Sequence, residues 1–180
     1  SNWTLLQRLT EEITRPDSAS DAALETGEFW LQVFQQQLFA LQKKPWQPPA
    51  GQQWSAVAQP SITLPGNGRM SARATTGSGL ACSHGEKLWI RYRQGGESLR
   101  LPGRPGKTLK KLFQEQGIPP WLRDRTPLLF VGNELVCVPG IGVASEFTAR
   151  AEQPGLQVQW QHPELVLTRI VRPQVNPGNR

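Results

Sequence analysis

Lys107 to Arg125 reads KTLKKLFQEQGIPPWLRDR, and its reading decides how the rest of the chain is placed. Leu109, Leu112 and Phe113 recur at i, i+3 and i+4, which predicts a short amphipathic helix with one apolar face. Lys107, Lys110, Lys111 and Gln114 fall on its other side. Gly117 is placed to end the helix in a left-handed cap. Pro119 and Pro120 then block continuation, and a proline suits the first turn of a second short helix. That turn carries Trp121, Arg123 and Arg125. A positive face beside an indole, fixed by two prolines, is a rigid surface suited to phosphate.

Downstream, Pro127–Val131 and Glu134–Val138 flank Gly132-Asn133 and predict a β-hairpin that is largely buried. Pro139–Val143 reads as a tight turn and Leu156–Trp160 as a final strand. Upstream, LWIRYR at 88–93 alternates. Leu88, Ile90 and Tyr92 share one face, and Trp89, Arg91 and Arg93 share the other. Strands are expected over 61–65 and 69–75 around Gly66-Asn67-Gly68, and another from Ser98 to Leu101. Residues 28–42 fit a helical stripe or two strands. Their aromatic and β-branched content, with the break at Gln35-Gln36-Gln37, favours the hairpin. A helix is expected over 2–14.

The domain boundary falls in the proline-rich stretch KKPWQPPAGQQWSAVAQP. This divides the chain into a first piece (1–44), a connector (45–60), a second domain (61–162) and a tail (163–180). The tail has one apolar stretch, LVLTRIV, before a Pro/Asn/Gly end expected to lack order.

The 180 residues carry a net charge of +6, unevenly spread. Residues 1–30 hold two basic and six acidic side chains, whereas residues 87–125 hold ten basic and three acidic. Concentrated positive charge attracts polyanions, although a plain solvated surface shows the same excess. The two cysteines, Cys82 and Cys137, form no framework spacing, and a reduced cytoplasmic setting fits them. No apolar run of about 18 residues is present, so no membrane span is expected. The chain begins without Met, which suggests a piece of a longer protein.

Enzyme signatures are weak. Cys82-Ser83-His84 has the wrong spacing for a structural zinc pair, and a Cys–His catalytic pair stays open. Cys137 sits in an apolar strand and reads as core. Gly103–Thr108, GRPGKT, bears a passing likeness to a phosphate loop, with two residues between its glycines where that loop has four. No carboxylate pair is specific.

The basic set is more coherent. Arg91, Arg93, Arg100, Arg104, Lys107, Lys110, Lys111, Arg123 and Arg125 form one patch if the outward face of the 88–93 strand lies beside the lysine helix. Lys and Arg meet phosphate oxygens with little sequence demand. The helix start near Lys107 would add amide N–H groups. Trp121 and Trp89 suit either base stacking or core packing.

Over Lys107–Val143 the sequence resembles the C-terminal domain of bacterial tRNA(Ile)-lysidine synthase. The family pattern is a basic K-x-L-K-K helix ending in Q-E, then G-[IV]-P-P-W-L-R, a P-L-[LV] strand and a hairpin. Gly27–Leu41 resembles the hairpin of the family's middle, substrate-binding domain, and Leu156–Trp160 resembles its last strand. The resemblance implies an α+β chain: a small α+β N-terminal piece, incomplete at its start, followed by a mostly β layered C-terminal domain with a short helix pair.

It also implies function. The family enzyme adenylates the wobble cytidine of an isoleucine tRNA with ATP, and lysine then displaces AMP to give lysidine. That chemistry belongs to an N-terminal domain with an S-G-G-x-D-S loop, a motif this sequence lacks. The expectation is a non-catalytic tRNA-binding part, with no cofactor or metal of its own and with ATP and lysine as substrates of the parent ligase. Its expected partners are isoleucine tRNA and the N-terminal catalytic domain of the same protein, and a homodimer is left open. The resemblance places Arg104, Lys107, Lys110, Lys111, Trp121 and Arg123 on the motif that would grip the acceptor-stem region. A protein-interaction or structural module reusing the fold is the alternative.

Overall fold

The computed structural model describes residues 4, 7, 23–25, 27–35 and 37–171. The helix expected over 2–14 lies outside these residues, apart from Thr4 and Gln7, which are helical. The chain divides into two units, Ser1–Pro45 with Glu164–Arg180, and Trp46–Pro163.

The first unit holds a four-stranded antiparallel sheet in the order β1-β2-β3-β15, with β1 at Ala23–Glu25, β2 at Phe29–Phe34, β3 at Gln37–Gln42 and β15 at Val166–Val171. The 28–42 stretch is therefore the hairpin, turning at Gln35 with φ 49°. The LVLTRIV segment of the tail supplies β15, paired along β3. Its alternating β-branched residues suit a strand, and a partner far back in sequence was not visible from them. Residues 172–180 lie outside the described residues.

The second unit has two larger sheets and a two-stranded ribbon. One runs β13-β12-β11-β8-β4, with β4 at Gln52–Trp54, β8 at Leu88–Arg91, β11 at Leu128–Val131, β12 at Glu134–Val138 and β13 at Gly142–Val143. The other runs β5-β6-β14-β7, with β5 at Ser61–Thr63, β6 at Arg69–Thr76, β7 at Leu80–Ala81 and β14 at Pro154–Gln161. A small ribbon pairs β9 (Ser98–Leu99) with β10 (Lys107–Thr108).

The proline-rich stretch is thus not all linker. Gln52–Trp54 pairs with β8, and Trp54 is 2% exposed. A tryptophan that large gains more from burial than from solvation, and its indole N–H donates to Gln59 O at 2.8 Å.

The five-stranded sheet is covered on both faces. Leu88, Ile90, Leu129 and Val136 join Met70, Leu80 and Leu156 of the other sheet in one core. Leu128 and Val138 join Leu99, Leu109, Leu112 and Phe113 in a second. Two buried faces explain why β11 reads LLFV without a polar alternation. The result is a mostly β, layered unit with two short helices, Leu109–Glu115 and Pro120–Arg123.

Candidate nucleic-acid interface

The lysine helix is held by its apolar face. Leu109, Leu112 and Phe113 are all at most 3% exposed, and burying each is worth about 1.5–3 kcal/mol. Its end is a Schellman cap: Gly117 has φ 61°, Ile118 N–H donates to Phe113 O at 2.8 Å, and Gly117 N–H to Gln114 O at 3.1 Å. Pro119 then caps the second helix, with Pro120 in its first turn. Lys110 and Lys111 are left exposed.

The helix begins later than the sequence suggests. Lys107 lies in β10, opposite Leu99, and the first helical residue is Leu109. Leu109 N–H donates to Glu97 O at 2.9 Å, and Lys107 Nζ reaches both oxygens of Glu115 at 2.7 and 2.9 Å. The lysine of GRPGKT and the first helical amide after it are therefore engaged within the protein.

The ten anticipated side chains fall into distinct settings. Arg104, Lys110 and Lys111 are exposed, with no ion pair among the described residues. Arg93 faces Asp124 at 3.5 Å, and Arg100 pairs with Glu146. Arg91 donates to Asn133 Oδ1 at 3.3 Å and lies over the Phe130 and Trp89 rings at 5.1 and 5.6 Å. Arg123 Nε donates to Ile118 O at 2.9 Å, bracing the turn between the two helices. Trp121 is half-buried.

Arg125 is not a surface residue. It is 6% exposed, its guanidinium lies 4.6 Å over the Trp46 ring, and burial lowers its pKa. An arginine can be buried this way because its flat, weakly hydrated head stacks on an indole. Glu146 is held below the usual carboxylate range, first by a backbone hydrogen bond and then by Arg100.

The remaining candidate chemistry is structural in setting. His84 packs edge-on against Phe147, with ring centroids 4.9 Å apart. Cys137 is buried, and desolvation pushes its thiol up to about 12, so it stays protonated. Among the described residues, no three His, Cys, Asp or Glu side chains are grouped to hold a metal, and no helix is long and apolar enough to cross a membrane.

Sequence reading passed over the glutamines of β14. Gln157, Gln159 and Gln161 are exposed and share a face. The signal was present in LQVQWQ, where Leu156, Val158 and Trp160 alternate with them. Arg73, opposite on β6, donates to Gln157 Oε1 at 3.2 Å.

Residues 88–160 match the family model described as the TilS substrate C-terminal domain. The chain is 33% identical over 158 residues to tRNA(Ile)-lysidine synthase of Pectobacterium atrosepticum, covering 87% of this chain and 36% of the relative. It is 32% identical over 165 residues to the enzyme of the same name from Methylococcus capsulatus, with the same two coverages. The chain thus spans about a third of the length of these relatives. A crystal structure of a TilS C-terminal domain aligns over 63% of this chain and 99% of that one, at 24% identity and a TM-score of 0.47. This chain carries the TilS substrate C-terminal domain at residues 88–160 and is homologous to the C-terminal region of bacterial tRNA(Ile)-lysidine synthases.

Proposed function

We propose that this chain is the tRNA-holding part of a tRNA(Ile)-lysidine synthase. The parent ligase would use ATP and lysine to convert the wobble cytidine of an isoleucine tRNA to lysidine in the cytoplasm. The chemistry would lie in an N-terminal catalytic domain of the same protein, and no residue of this chain is assigned to it. The observation that carries the reading is the lysine helix. Its apolar side is locked into a core, and Lys110 and Lys111 face solvent with no carboxylate on them among the described residues. Arg104, on the loop leading into β10, adds a third such cation. Fixed cations of this kind meet phosphate without reading sequence and would position the tRNA by its backbone.

The test is the binding of an isoleucine tRNA to this chain as salt is raised from 50 to 200 mM. Neutralising about three phosphates predicts an affinity loss on the order of tens-fold across that range. Absence of tRNA binding at the low-salt end would contradict the proposal.

A further inference from the structure

Strand β14 is paired lopsidedly. On one side β6 accompanies it from Pro154 to Gln161, whereas on the other β7 covers only Gly155 and Leu156. From Gln157 to Gln161, about 17 Å of strand, no described strand pairs with that second edge. An unpaired edge presents alternate backbone N–H and C=O groups. Two cavities follow the same stretch. One, of about 600 Å³, is lined by Gln157 and Val158, and the other, of about 550 Å³, by Gln159 through His162. Gly140 lines both, so they form consecutive parts of one trough. The far wall is the β12–β13 turn in the first part, and Phe113, Ile118 and Leu122 of the helix pair in the second.

The lining has a consistent chemistry. No Asp or Glu contributes to either part, and Arg104 brings a cation to the first. Carboxamides supply a donor and an acceptor side by side, the pattern that base edges present in return. Of the apolar wall beside them, the half-buried Ile118 and Leu122 would accept the faces of unstacked bases.

The geometry points to this trough as a site for a short unpaired stretch of RNA. Its bases would meet the glutamines and the β14 edge, and its phosphates would meet Arg104. Charge favours this occupant over a neutral extended peptide, which would also satisfy a strand edge but would leave Arg104 uncompensated. The inference rests on the proposed RNA binding and adds to it a subsite for single-stranded nucleotides.

The experiment uses the whole chain and two RNA hairpins, one blunt and one carrying a single-stranded extension of about four nucleotides. The extension is expected to raise affinity about tenfold, as for two or three net hydrogen bonds. The double variant Gln159→Ala, Gln161→Ala, and separately Gln157→Ala, should erase that gain and leave blunt-hairpin affinity within about twofold. These residues are exposed, and circular dichroism would confirm that the variants fold. Equal affinity for the two hairpins in the parent would overturn the inference while leaving the broader reading intact. So would a gain that survives all three glutamine changes, or a neutral extended peptide of alternating Val and Thr that occupies the trough while the extension adds nothing. Failure of both hairpins to bind would remove the broader reading, and this one with it.

Discussion

Asn67 Nδ2 donates to the carbonyl oxygen of Arg125 at 2.7 Å, across 58 residues of sequence. The bond ties the turn between β5 and β6 to the end of the Pro-Pro-Trp segment. Asn67 is fully buried, and its own carbonyl accepts from Trp160 Nε1 at 2.9 Å. One side chain and its backbone thus join the glutamine-bearing sheet to the helix pair.

Asn67→Ala should destabilise the second unit by about 1–3 kcal/mol, since it strands the Arg125 carbonyl. Urea unfolding followed by tryptophan fluorescence measures this. A midpoint equal to that of the parent would show that the bond is not holding the two segments together.

Arg125 should behave as a core residue. Arg125→Ala removes the group stacked on Trp46 and is expected to cost about 1–3 kcal/mol of stability. Where the variant is still folded, its RNA affinity should stay within about twofold of the parent. A stable Arg125→Ala protein with RNA affinity lost would place this side chain on the interface after all.

Glu115 masks Lys107. Glu115→Gln keeps the shape and removes the negative charge, so the helix face becomes more positive. RNA affinity at low salt should rise by roughly two- to fivefold, as expected for one exposed ion pair released. A fall in affinity would mean that the pair itself organises the RNA surface.

The buried Cys137 thiol gives an alkaline signature. Its folded value of about 12 lies above the ordinary value of 9.0, so the folded protein keeps a proton that the unfolded chain gives up. Stability from this group is whole below about pH 9 and declines as pH rises toward 12. Burial raises Tyr92 in the same sense. Thermal midpoints should therefore fall from pH 9 to 11, and in the native state an alkylating agent should modify the half-buried Cys82 well before Cys137. Equal alkylation rates would contradict the burial of Cys137.

The lysine helix was legible because its pattern is local. Leu109, Leu112 and Phe113 announce a face, and Gly117 and the two prolines announce its end. The 128–138 hairpin was legible for the same reason. What sequence reading missed depends on distant partners. Trp54 sits among prolines and belongs to a sheet through a pairing with Leu88. β15 exists by pairing with β3, far back along the chain. Charge was the least legible property. Arg93, Arg100 and Lys107 look like surface cations, but they meet Asp124, Glu146 and Glu115, and Arg125 is buried. The trough beside β14 needed the topology, because only the strand order shows which edge has no neighbour among the described strands.

The most direct test of the central claim is the affinity of this chain for an isoleucine tRNA, compared with that of the triple variant Arg104→Glu, Lys110→Glu, Lys111→Glu. All three side chains are exposed, so circular dichroism and the thermal midpoint should be those of the parent. The account predicts tight binding by the parent at low salt, a loss of at least about a hundredfold in the variant, and a shallower dependence on salt. Equal tRNA affinity in a folded triple variant would contradict it.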